Sequence, residues 1–406
     1  MFDVKDAKAG VTFPKGFKAA GVKAGIKKSG NLDVAVIYTE KEAAVAGTFT
    51  QNAVAAAPVF ASKAVVATGT AHAITANAGC ANACTGEQGN QDAHAMQTIT
   101  AEALGCEPDD VIVASTGVIG VTLPMDKMEN GIRQAVSELS EDGSWNAGHA
   151  IITTDTYSKA GSTEFTLGGK PVRLGFIAKG SGMIQPNMAT MLCFITTDAA
   201  IDQKLLQKAL SEVVDVTFNM ISVDGDMSTN DMVIVLANGE AGNPKVTSED
   251  ADYETFKAKL LELCTGIAQR IASDGEGATK FLTVHVSGTK TYEDAKTIAF
   301  SVAKSPLVKT AFFGEDPNWG RVICAVGYAG VPMDPEKTVV KFGDIPVYAN
   351  GVGADCDAEA LRKVMEQHDI VIDIDMGESK DKENDATVWT CDFSYEYVKI
   401  NGEYHT

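Results

Sequence analysis

The sequence predicts a layered α/β protein, with helices and strands interspersed along its whole length. Apolar positions recur at helical spacing in several stretches. Between them lie short apolar runs bounded by glycine, aspartate or asparagine, the pattern of buried strands. Neither type is segregated, so sheets covered by helices follow. A length of 406 residues, 45% hydrophobic and 22% charged, fits roughly two or three globular domains, or one large one with an appendage.

In chain order, strands are expected at 33–38 and 110–114, with helices at 91–104 and 125–140. Strands at 174–178 and 190–197 precede the clearest helix, 203–217. There Leu205, Leu206, Ala209, Leu210, Val213 and Val214 form one stripe after a capping Asp202. A strand at 232–237 leads to a second strong helix, 254–272, striped by Phe256, Leu260, Leu261, Cys264, Ile267 and Ile271. Strands follow at 281–286, 321–328 and 369–374, and helices at 293–304 and 358–367. A last strand, 386–400, sets Trp389, Cys391, Phe393, Tyr395 and Tyr397 on one face. Residues 239–249 and 376–385 are the expected linkers. No internal repeat is visible.

With 34 basic and 54 acidic residues the formal charge is −20, which disfavours nucleic acid and anionic lipid as partners. The opening MFDVKDAKAGVTFPKGFKAA lacks the apolar core of a signal peptide, and no run is long enough to span a bilayer. A soluble, cytoplasmic protein with free thiols is expected from this and from eight dilute cysteines. Six histidines without ligand spacing give no support for a metal site. No serine lies in a G-x-S-x-G elbow, Gly180-Ser181-Gly182 lacks the third glycine of a dinucleotide fingerprint, and no phosphate loop occurs. The acidic loop beginning at Asp224 has Val235 where a calcium loop needs glutamate.

What stands out is hydroxyls and glycines at strand ends: Ser115-Thr116-Gly117, Thr153-Thr154, and the stretch from Gly180 to Thr190. The last belongs to KGSGMIQPNMATMLCFITTDA (179–199), which resembles the self-cleavage and nucleophile segment of the ornithine acetyltransferase family, also called the arginine-biosynthesis bifunctional protein. Further blocks resemble that family in the same order: NAGCANACTG (77–86), VIVASTGVIG (111–120), ITTDT (152–156), SVDGDMSTNDMV (222–233), SDGEGATK (273–280), FFGEDPNWGR (312–321) and INGEYHT (400–406). The resemblance covers essentially the whole chain.

It implies an α-β-β-α sandwich like that of N-terminal-nucleophile enzymes over residues 1–280, and a smaller α/β domain at 281–406. The C-terminal tail of that domain would cover the substrate. It implies self-cleavage between Ala189 and Thr190, giving an α chain (1–189) and a β chain from 190, paired as a heterotetramer of two of each. Thr190 would be the nucleophile, its freed α-amine, with an ordinary pKa of about 7.7–8.0, serving as its base. Thr116 and Gly117 would form the oxyanion hole. Lys179, Glu276, Thr153, Asn401 and Thr406 would hold the substrates, with Lys179 suited to a carboxylate and Glu276 to the distal ammonium of ornithine.

The implied reaction moves acetyl from N2-acetylornithine to glutamate through acetyl-Thr190 in arginine biosynthesis. Acetyl-CoA is a possible co-substrate, and no cofactor or metal is called for. An amidohydrolase or aminopeptidase with the same threonine, resolved by water, and a noncatalytic scaffold are the alternatives.

Overall fold

The computed structural model describes residues 9–185 and 191–403. The larger of its two sheets holds β1 (Phe17–Val22), β2 (Val34–Phe49), β3 (Thr70–Cys80), β4 (Val111–Val118), β5 (Lys159–Leu167), β6 (Lys170–Lys179) and β7 (Leu192–Thr197). After the two-residue β8 (Ile221–Ser222) of the other sheet, it is completed by β9 (Met232–Ala237). Its order is β4-β3-β2-β9-β7-β6-β5, with β1 on β2.

The long β2 makes the fold. Its register with β3 breaks between Tyr38 and Ala43, and its two halves serve different neighbours. Residues 34–39 pair with β1, and residues 44–49 pair with β9. The sheet therefore doubles over a shared apolar core, in which Ile37, Ile74 and Ile112 of one limb join Val45, Phe194, Ile234 and Leu236 of the other. The helices of this half are α1 (Ala57–Thr68), α2 (Gly86–Leu104), α3 (Met125–Ser137), α4 (Ser144–Ile151), α5 (Gln203–Asp215) and α6 (Ala251–Ser273). Helices α2 and α3 cover the outside of one limb, over Val34, Val36, Val111 and Val113. Helices α5 and α6 cover the outside of the other, over Phe176, Cys193, Ile195, Val233 and Val235. This is the α-β-β-α sandwich that the family resemblance implied.

Local chemistry starts α5 where the sequence placed it, at 203, and starts α6 at Ala251, three residues before the expected 254. The Asp202 carboxylate accepts from the Lys204 N–H, and Asp250 from those of Asp252 and Tyr253, satisfying first-turn donors. Leu260, Ile267 and Ile271 of α6 are wholly buried, each contributing roughly 1.5–3 kcal/mol.

The second sheet, ordered β13-β12-β11-β14-β10-β15-β8, comprises β10 (Phe281–Ser287), β11 (Val339–Phe342), β12 (Ile345–Ala349), β13 (Val352–Gly353), β14 (Asp369–Asp375) and β15 (Ala386–Cys391) with β8. It carries α7 (Tyr292–Ala303), α8 (Pro306–Phe313), α9 (Trp319–Gly327) and α10 (Ala358–Met365), and α11 (Tyr395–Glu403) ends the described chain. Helix α6 touches β10 and β15 as well as β5, so one apolar core runs through both sheets. β8 brings residues from before 281 into the second sheet.

Two expected strands are corrected. Residues 321–327 lie in helix α9, and Tyr328 caps its end. The run Val322-Ile-Cys-Ala-Val326 fits both periods, and Asn318, whose side chain accepts from the Arg321 N–H, selects the helix that buries Val322, Ala325 and Val326. The final strand stops at Cys391, because Asp392 accepts from the backbone N–H groups of Thr279 and Lys280 and turns the chain. Ser394 then accepts from the Glu396 N–H at the start of α11, leaving Tyr395 83% exposed. The expected linkers run inside the body: 239–249 joins β9 to α6 as a largely exposed loop pinned by buried Ala241, Asn243 and Val246, the last bridged to Ile201, and 376–385 connects β14 to β15 within one sheet. All eight cysteines are free, and no described helix is long and apolar enough to cross a membrane.

Candidate active site

Strand β4 ends on one limb of the folded sheet and β6 on the other. At their ends the Lys179 ammonium donates to the Thr116 hydroxyl oxygen across 3.3 Å. A pocket of about 90 Å³, open to solvent, lies at this junction. Thr116, Gly117, Thr153, Lys179, Glu276 and Asn401, six of the residues singled out in the sequence, all line it. Thr190, Ala189 and Thr406 lie outside the described residues.

Each wall has a local cause. The pairing of β3 with β4 is irregular, Cys80 lying opposite both Thr116 and Val118, and Gly117 adopts φ +130. A Cβ at Gly117 would stand 2.4 Å from the Gly79 carbonyl carbon, so only glycine brings this backbone so close to its neighbour. Gly182 is constrained from the pocket side: a Cβ there would come 2.4 Å from the Glu276 carboxylate. Asn401 reaches Glu276 from α11, donating to Oε2 at 2.7 Å, so the helix that replaced the expected strand end supplies this contact.

Behind the wall sits a buried charge cluster. Lys159 Nζ donates to Asp155 Oδ1 at 2.7 Å and to Asp274 Oδ2 at 2.6 Å, with all three side chains almost wholly buried. Burial pushes the Asp155 carboxyl up, but the charges of Lys159 and Lys179 and the bonds from Lys159 and Gly180 overcome it, holding the group at about 2. Burial leaves Asp274 raised despite Lys159, whose own ammonium is raised because the two carboxylates outweigh its desolvation. Lys179 is lowered, burial winning over Asp155. Lys27 nearby is brought down to about 8 by burial.

Sequence reasoning missed this cluster, and it gave no individual role to Ser228, Thr229 and Asn230, which also line the pocket. Asn230 Nδ2 donates to the carbonyls of Ala81 (2.6 Å) and Ser115 (2.8 Å), joining the residue after β3 and strand β4 to the approach to β9. Asp231, fully buried and raised by that burial, accepts from the Met191 N–H at 2.7 Å. Ser228 to Asp231, like Asp155 and Asp274, lie in blocks that carried the family resemblance, whereas Lys159 lies in none of them. Among the described residues no group of acidic, histidine and cysteine side chains is placed to hold a metal ion.

The arrangement offers a hydroxyl and a turn backbone on one side, a buried cation between, and an oriented carboxylate opposite. That suits a small zwitterionic substrate whose carbonyl must be polarised.

Residues 18–406 match the model of the ArgJ family. The arginine biosynthesis bifunctional protein ArgJ of Symbiobacterium thermophilum is 49% identical over 399 residues, 98% of both chains. ArgJ 1 of Clostridium acetobutylicum is 48% identical over 394 residues, 96% of each. Among solved structures, the ornithine acetyltransferase of Mycobacterium tuberculosis complexed with ornithine is 40% identical, with a TM-score of 0.40 over 44% of this chain and 95% of the solved one.

Proposed function

Because this chain belongs to the ArgJ family, we propose that its pocket carries acetyl from N2-acetylornithine to glutamate by way of an ester on Thr190. The enzyme is an acetyltransferase of arginine biosynthesis; the roles given to individual residues are our reading of the site. Self-cleavage frees the Thr190 α-amine, which takes the proton of its own hydroxyl as the oxygen attacks the acetyl carbonyl. Charge on that carbonyl oxygen meets the Thr116 hydroxyl and the Gly117 N–H. The C–N bond then breaks, the proton passes to the leaving amine and ornithine departs. The glutamate amine attacks the ester and restores Thr190. Lys179 pairs with the α-carboxylate of either substrate, and Glu276, oriented by Asn401, with the distal ammonium of ornithine. Thr153 and Thr406 complete the contacts in this reading, and acetyl-CoA is a candidate second acetyl donor.

The observation that carries this reading is the meeting of Thr116 and Lys179 in one pocket with Glu276 and Asn401. The fold also supports processing. β6 lies before the proposed cut and β7 after it, and they pair from Leu174↔Thr197 to Lys179↔Leu192, so the two chains stay joined by sheet hydrogen bonds. Assembly as two α and two β chains belongs to the same proposal.

Intact mass measurement tests it. The expected result is two fragments meeting between Ala189 and Thr190, and a single uncut chain from the Thr190→Ala variant. Full turnover by an uncut chain overturns the proposal.

A further inference from the structure

The cluster behind the pocket is almost wholly buried, yet it ties together three stretches of the pocket wall. Asp155 Oδ2 accepts from the Thr153 N–H at 3.1 Å, and Oδ1 accepts from the Gly180 N–H at 2.7 Å, the residue after Lys179. Asp274 accepts from the Thr156 N–H at 3.1 Å and from its hydroxyl, while the Asp274 carbonyl accepts from Ser181 Oγ at 2.7 Å. Two residues on lies Glu276, whose N–H donates to the Ser181 carbonyl. Thr153, Lys179 and Glu276 are thus all set by one charge knot centred on Lys159.

Removing its charges from water is costly, and a buried pair of this kind is weak evidence for stability alone. Its bonds run instead to the backbone that carries the substrate-binding side chains. We propose that Asp155 is a positioning residue: from behind the wall its carboxylate fixes the end of β6 and holds the Lys179 ammonium ready for the substrate carboxylate. This deepens the function proposed above and rests on its assignment of Lys179.

The charge argument points the same way. The groups acting on Lys179 are Asp155, Lys159, Asp231, Glu276 and Lys27, together with the Thr116 hydroxyl. Burial disfavours the ammonium, two lysines add to that, and Asp155 is the largest opposing influence. Without that carboxylate Lys179 loses its proton at lower pH, and with it the grip on a carboxylate.

The test is the pH dependence of KM and kcat for N2-acetylornithine in wild type, Asp155→Asn, Asp155→Glu and Lys179→Ala, from about pH 6 to about pH 10. Substrate amines titrate alike for every variant, so differences between enzymes report the protein. Asp155→Asn should raise KM about tenfold at neutral pH, more than it lowers kcat, and move the alkaline rise in KM down by about one pH unit or more. Asp155→Glu keeps the charge but displaces it, so its KM should rise while the alkaline limb stays at the wild-type pH.

An Asp155→Asn limb that coincides with wild type overturns the proposal, whatever happens to thermal stability. If that variant does not fold, an unchanged KM in Asp155→Glu overturns it. An unchanged KM in Lys179→Ala instead removes the parent assignment, which separates the two failures.

Discussion

Replacing Thr116 with valine removes one hydroxyl and keeps a β-branched shape in a strand position that is 5% exposed. Two effects follow from the structure. The Thr116 oxygen is an acceptor for the buried Lys179 ammonium, so its loss leaves a donor less well satisfied, costing about 1–3 kcal/mol of stability. Removing one oxyanion donor from an acyl-transfer site costs about a hundredfold to a thousandfold in kcat, or about 2.7–4 kcal/mol. The catalytic effect is the larger for function, and it appears in kcat because the developing charge exists only in the transition state. Steady-state transfer from N2-acetylornithine to glutamate measures it, with Thr116→Ser, which keeps the hydroxyl, as the control. A folded Thr116→Val enzyme with kcat within about threefold of wild type would refute the oxyanion-hole reasoning.

Three further outcomes are expected. Lys159→Met leaves two buried carboxylates without their cation and should cost about 3–5 kcal/mol in denaturant unfolding; a loss below about 1 kcal/mol contradicts the account of the cluster. Gly182→Ala places a methyl group against the Glu276 carboxylate, so KM for acetylornithine should rise more than kcat falls, and an unaltered KM would detach Glu276 from substrate binding. Asp155 is held at about 2, below its ordinary 3.8, so its ionisation stabilises the fold above about pH 4 and that contribution fades as pH falls toward about 2. The stability gap between wild type and Asp155→Asn should therefore narrow across that acid range, and a constant gap counts against the ion pair.

How much of this was legible in the sequence depended on whether a signal was local. Helices α5 and α6 announced themselves through long apolar stripes, the first behind Asp202, since capping and periodicity are properties of neighbouring residues; the Asp250 cap of α6 is seen only in the structure. Strand β9, all apolar, was bounded at 232–237 as the structure has it. Where a short run satisfied both periods, as around Val322, tertiary packing and a cap decided, and the strand reading lost. The aromatic stripe after Cys391 misled in the same way, because Asp392 and Ser394 redirect the backbone through contacts with residues more than a hundred positions away. Strand β3 was not foreseen, although Ala71 through Ala78 supplies part of the inner sheet; its alanines and polar residues give little periodic contrast.

At the site, the resemblance named Thr116, Gly117, Thr153, Lys179, Glu276 and Asn401, and the fold brings all six to one pocket. No sequence pattern reveals that Asp155, Lys159 and Asp274 meet. Lys159 and Asp274 are 115 positions apart, and each by itself reads as an ordinary surface charge.

The most direct measurement follows the acetyl group itself. Active enzyme is incubated with N2-acetylornithine carrying a labelled acetyl group, without glutamate, then quenched and mapped by peptide mass spectrometry. The account predicts label as an ester on the peptide beginning with Thr190, discharged to acetylglutamate when glutamate is added. Label on any other side chain, or transfer at full rate without an acetylated enzyme, contradicts it.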